Sequence, residues 1–152
     1  MSFACLRRQV IDFQIKNPGR YAFNRERLFG VVQNTLANTS VNTSVGVQNF
    51  EPLRYMVSLL IVNKQQMAKY NWQYHETKGP TDVLSFPYTD PSSQVTTDVF
   101  QTPPDSGVVL GDLIVCYPVA REVGIKENKT TQDMLDFYVE HGLLHLLGHH
   151  HE

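Results

Sequence analysis

The chain has 152 residues, of which 41% are hydrophobic, 18% charged and 11% aromatic, and its net charge is −2. Those values suit one domain with a single core and exclude an acidic disordered tail or a wholly basic RNA-coating protein. Charge is unevenly spread: residues 1–80 carry ten Lys/Arg against four Asp/Glu, and residues 81–152 carry three against eleven, which is +6 followed by −8. The split is open to two readings, surface charge scattered by chance or a basic surface facing a polyanion with an acidic, metal-favouring half behind it. Cys5 and Cys116 are far apart and form no CxxC, as expected for packing residues in a reducing compartment. No apolar run is long enough to span a bilayer, and the start MSFACLRRQVIDFQ lacks the apolar middle and cleavage site of a signal peptide. Arg7, Arg8, Lys16, Arg20, Arg25 and Arg27 lend the N-terminus an organelle-targeting flavour, which Asp12 and Glu26 argue against. The expectation is a soluble intracellular protein, with the mitochondrial matrix or another organelle weakly favoured over a bacterial cytoplasm.

In chain order, residues 3–14 alternate as a strand, Asn17-Pro18-Gly19 breaks the chain, and Asn24 can cap a helix running to about Leu36. Residues 38–49, with Asn-Thr-Ser-Val twice, read as a solvated loop. The run LRYMVSLLIV, Leu53 to Val62, is nearly continuously apolar and predicts a central strand, followed by a helix from Lys64 to about Tyr74. A third strand is expected over Thr81 to Tyr88 and a Pro/Ser/Thr/Asp-rich loop over 89–106, ahead of a fourth strand, Val108 to Cys116. Tyr117 to Lys126 predicts a short helix. Thr130 or Thr131 caps the last one, in which Met134, Leu135, Tyr138, Val139, Leu143, Leu144, Leu146 and Leu147 keep a helical period. Strands alternating with helices predict a mixed, layered architecture.

Five of the six histidines fall in the last twelve residues. His141 and His145 are four apart, so both imidazoles project from one helix face, near enough to share a tetrahedral zinc. Gly148 can end that helix in the left-handed conformation and let His151 return as a third ligand. A tag remnant, or ordinary helix histidines, are the plainer alternatives. The spacing H-x-x-x-H-x-x-G-x-x-H is that of metzincin proteases, but Gly142 stands where their general-base glutamate would be, which argues against proteolysis by that route. Three neutral imidazoles leave zinc its full charge and one open position, which lowers the pKa of bound water and implies hydrolysis.

The run from His141 to His151, HGLLHLLGHHH, resembles the C-terminal motif HGxLHLxGxDH of the YbeY endoribonucleases, which are also small-subunit rRNA maturation factors. Pro80-Thr81-Asp82-Val83-Leu84-Ser85-Phe86-Pro87 is similar to that family's PTDVLSFP signature, and Leu110-Gly111-Asp112-Leu113-Ile114 to its LGDI strand. Met67, Asn71 and Tyr74 fit the helix leading into the signature. The resemblance implies an α+β, zincin-like single domain over residues 1–152, a mixed four-stranded sheet packed with helices, and a three-histidine metal site at its C-terminal end. It implies one Zn2+ per chain, or another first-row divalent metal, on His141, His145 and His151. These three would be catalytic together with His75, which stands where the family has an arginine that is thought to contact RNA phosphate. Asp82, Ser85 and Asp112 would bind substrate, or alternatively serve turn capping and strand-end hydrogen bonds. Implied partners are ribosomal RNA and the small ribosomal subunit or its assembly intermediates, with no membrane.

Three departures stand out. His75 replaces a permanently charged, bidentate group by a titratable one. His150 replaces the aspartate before the last motif histidine. The chain stops at Glu152, where family members usually continue with a helix, so it is either truncated or has lost that helix, and its loops at 38–49 and 89–106 look enlarged. Two main functions are therefore expected: a metal-dependent, single-strand-specific endoribonuclease of rRNA maturation, or a weak or inactive relative that assists small-subunit assembly and holds metal structurally. An unrelated zinc hydrolase or protease is a third.

Overall fold

Apolar residues at Ile11, Phe13 and Ile15 alternate along the first strand, β1 (Val10–Lys16), and turn one side of it toward the core. The computed structural model describes residues 10–38, 54–88 and 108–148. Seven further elements follow: α1 (Arg25–Asn38), β2 (Arg54–Val62), α2 (Lys64–His75), β3 (Val83–Pro87), β4 (Val108–Cys116), α3 (Tyr117–Glu127) and α4 (Thr131–Leu146). The strands form one sheet in the order β1-β2-β4-β3. β1, β2 and β4 run parallel, and β3 pairs antiparallel with β4 at one edge. This is the expected α+β arrangement with a mixed four-stranded sheet.

Local chemistry sets most boundaries. The Asn24 side chain accepts the Arg27 N–H at 3.0 Å and starts α1. Asn63 and Gln66 form a reciprocal capping box at the start of α2. Of the two threonines named as caps for the last helix, it is Thr130 that accepts the Asp133 N–H, while the Asp133 carboxylate takes the Thr130 N–H in return. β1 extends two residues beyond its expected end, to Lys16, because Asn17 closes the break by taking the Tyr21 N–H on its side chain at 3.1 Å. Residues 3–9 of the expected strand, Cys5, and the loops at 38–49 and 89–106 lie outside the described residues, apart from Asn38, which ends α1.

The sheet has two distinct faces. α1 and α4 cover one, packing Leu28, Val32, Leu135, Val139 and Leu143 onto Tyr55, Val57, Leu59, Ile61, Leu113 and Val115. α2 covers part of the other, where Met67 meets Val62, Leu84, Ile114 and Cys116. Cys116 is fully buried and its thiol is pushed up by that burial, so it packs rather than reacts. β4 carries an irregularity against β2, with Met56 paired to Val109 and Val57 to Gly111, so that Leu110 is the extra residue. The bulge turns Leu110 into the main core and leaves Asp112 on the α2 side. Among the described residues no helix is long and apolar enough to cross a membrane.

Candidate functional site

α4 is held on both flanks. Its buried residues, Met134, Leu135, Tyr138, Val139, Gly142, Leu143 and Leu146, follow the helical period expected from the sequence, whereas Leu144 and Leu147, expected with them, are only half-buried. Near its start, Arg27 of α1 binds Asp133 and Asp136, each at 2.6 Å. With that stripe turned inward, His141 and His145 share another side of the helix. Their Nε2 atoms lie 3.0 Å apart, and the ring centroids are 4.5 Å apart with planes at 74°. Phe137, one turn earlier, stacks on His141 at 6.0 Å with planes only 15° apart.

Two imidazoles bound to one tetrahedral zinc at its usual bond length would bring their nitrogens to about 3.3 Å from each other. The observed convergence therefore fits two ligands of one ion. The helix gives way at Leu147, and Gly148 takes the left-handed φ of 88° with its N–H on the His145 carbonyl at 3.0 Å. That is the left-handed conformation anticipated for it. His149, His150 and His151 lie outside the described residues, and among the described residues no group of three His, Cys, Asp or Glu is placed to hold a metal.

Gly142 explains why a glutamate has no room after His141. A Cβ at this position would sit 2.7 Å from Leu113 Cδ2 and 3.3 Å from Val83 Cγ2. A longer side chain would be driven into the sheet, away from the histidine side of the helix.

The other candidate residues are not gathered at one point. Ser85 pairs with Leu113 and so shares the sheet face that α4 covers. Asp112 pairs with Phe86 and lies on the opposite face, where it accepts a hydrogen bond from Ser58. There Asp112 lines a groove of about 420 Å³ with Lys16, Ser58, Tyr70, Tyr74 and Phe86. Asp82 sits just before β3; its carboxylate takes the Val83 N–H at 2.7 Å and its carbonyl takes the Cys116 N–H at 3.0 Å. These bonds pin the strand start. Its charge also reaches Tyr138, whose hydroxyl is pushed up to about 12, chiefly by burial and then by Asp82. His75 is the exposed last residue of α2, its carbonyl accepting the Thr77 hydroxyl. The buried Asn71 side chain holds the Gly79 carbonyl at 2.9 Å and thereby fixes the loop from α2 to β3.

Phe137 and Ser58 were not anticipated. Phe137 left a signal, an aromatic four residues before His141. Ser58 left another, a lone hydroxyl in the apolar run from Met56 to Val62.

Comparison with known proteins places the chain in a family. The family model described as "Endoribonuclease YbeY" matches residues 16–152. The chain belongs to the YbeY family. An Endoribonuclease YbeY from Acidothermus cellulolyticus is 39% identical over 95 residues, covering 62% of this chain and 57% of that protein. The one from Nitrosococcus oceani is 34% identical over 96 residues, covering 63% and 57%. The one from Dehalococcoides mccartyi strain BAV1 is 35% identical over 99 residues, covering 63% and 62%. The chain thus spans about three fifths of the length of these YbeY relatives. A solution structure of a Thermotoga maritima protein is 23% identical, covers 94% of this chain and 75% of that one, and superposes with a TM-score of 0.49.

Proposed function

We propose that this YbeY-family chain is a metal-dependent endoribonuclease that cuts single-stranded RNA during small-subunit rRNA maturation. The observation that supports it most is the convergence of the His141 and His145 Nε2 atoms at 3.0 Å, immediately before the left-handed turn at Gly148. His151, three residues beyond that turn, is the third nitrogen donor. Zinc bound by three neutral imidazoles would supply a water of lowered pKa and a positive charge for phosphate oxygen. The chain's own contribution is positional. The capped and buried helix α4 fixes the spacing of two donors, and Gly148 frees the chain to return the third. Gly142 keeps the helix pressed on the sheet and leaves no carboxylate at the position after His141, in keeping with a nuclease rather than a protease. The natural RNA is ribosomal, on the small subunit or its assembly intermediates, in an intracellular compartment, with an organelle weakly favoured.

The test is metal content by elemental mass spectrometry on untagged full-length protein and on His145→Ala, with cleavage of single-stranded rRNA fragments measured alongside. About one zinc per chain, lost together with cleavage in the variant, is expected. Cleavage surviving His145→Ala would refute the proposal.

His75 supports a second reading. It stands exposed at the end of α2 as a titratable group where the resemblance expects arginine, which weakens any phosphate contact made there. On that reading the protein associates with small-subunit particles, shows no metal-dependent cleavage, and holds its C-terminus with a structural metal. Turnover restored by added zinc would count against it.

A further inference from the structure

Phe137 is 57% exposed, although a helix position facing water is ordinarily polar. It does not serve the core, since the neighbouring Tyr138 turns inward instead and is 3% exposed. Phe137, His141 and His145 form one stripe at successive helical turns, and the Phe137 ring lies nearly parallel to that of His141. One turn of helix advances about 5.4 Å, comparable to the step between neighbouring nucleotides of an extended strand. A phosphodiester held at the His141–His145 pair would therefore place the adjoining base within reach of the Phe137 ring.

We infer that Phe137 is the stacking platform for an unpaired nucleobase next to the phosphodiester to be cut. The inference rests on the RNA-cleaving reading above and deepens it. A base locked in a duplex keeps both its faces stacked on its neighbours and has none to offer, so an exposed ring beside the histidine pair selects single strands. Stacking tolerates any base, because every base has a π-face. Phe137 thus sets strand state rather than sequence. It is a specificity-determining residue, and it binds equally well to strands of differing composition.

Binding and cleavage are measured separately. Full-length wild-type protein is titrated with a fluorescent, cleavage-resistant phosphorothioate-linked single-stranded RNA about a dozen nucleotides long, enough to cover the site size of a single-strand binding surface, and with the same strand in a duplex. Adding Phe137→Leu, which keeps an apolar side chain but removes the ring, is expected to weaken the single strand about tenfold, the size of one lost base–aromatic stack. Duplex binding should not change. Phe137→Tyr should retain the single-strand affinity. With a cleavable strand, Phe137→Leu should raise KM with little change in kcat, and its metal content should match the wild type.

Single-strand binding that is the same with and without Phe137→Leu, or an equal loss for duplex, would overturn the inference. Loss of metal in Phe137→Leu would overturn it as well, since the ring would then act by orienting His141. If the wild type cuts no RNA yet the stacking effect appears, the nuclease reading fails and the platform stands. If RNA is cut and the effect is absent, only the platform fails.

Discussion

At the residue scale, two glycines carry requirements that other residues cannot meet. Gly111 has a φ of 144°, and a Cβ there would lie 2.3 Å from the Phe86 carbonyl oxygen, a backbone atom that cannot move aside alone. Gly111→Ala should therefore cost about 2–4 kcal/mol by strain and overpacking combined, read as a lower urea midpoint with unchanged slope. Gly142 is constrained by packing instead, and Gly142→Glu should destabilise the fold without yielding peptidase activity against casein. His75 is the opposite kind of position, exposed and permissive. His75→Arg should leave stability within about 0.5 kcal/mol. If phosphate passes the end of α2, the same change should tighten RNA binding and steepen its salt dependence by about one unit of log–log slope. An unchanged slope would place that contact elsewhere.

At the element scale, α4 gives the histidine pair its geometry, and its N-terminal anchoring is testable. Removing the cap with Thr130→Ala frees the Asp133 N–H and should cost about 1 kcal/mol in thermal or urea unfolding. The Asp133 carboxyl is held below the usual range, first by the Thr130 N–H and then by Arg27. A carboxylate with a depressed folded-state pKa contributes stability that is fully present above its unfolded value of about 4. That stability is lost as pH falls through the folded value. Unfolding curves of wild type and Asp133→Asn should thus differ at pH 7 and converge below about pH 4. A gap that stays constant into that acid range would show that the carboxylate charge contributes nothing. Arg27 joins the same cluster from α1, but it is half exposed, so solvent screens most of its effect.

At the scale of the whole molecule, the sheet separates the candidate groups. The histidine pair and Ser85 belong to the side that α4 covers, while Asp112, Ser58, Phe86 and Tyr74 line the groove on the α2 side. If His141, His145 and His151 hold zinc, binding links the end of the chain to the core. Free metal at about a hundred times its dissociation constant would then stabilise the protein by about 2.7 kcal/mol. A chelator should lower the melting temperature of wild type by roughly 5–10 °C and leave His145→Ala unmoved. Equal melting of both proteins with and without chelator would rule out a folded-state site on these residues.

Much of this was legible in the chain itself. The period of Leu135, Val139 and Leu143, the Asn24 and Thr130 caps, and the alternation in β1 are local signals, governed by neighbours within a turn or two. They placed every described element to within a few residues. The spacing of His141 and His145 predicted their meeting for the same reason, since four residues of helix fix it. The PTDVLSFP and LGD stretches marked important positions without revealing which way they face. A strand alternates sides at each residue, so the one-residue bulge at Leu110 decides whether Asp112 looks toward α4 or away from it. Only the pairing of β4 with β2 and β3 reveals that bulge. The stacking of Phe137 on His141 was half legible, because the spacing was visible whereas the inward turn of Tyr138, which leaves Phe137 outside, depends on α4 docking against the sheet. Elements, caps and family membership could be read from the residues alone, because each is encoded within a short stretch of chain. Which groups share a face emerged only on folding, because that depends on contacts between strands and helices distant in sequence.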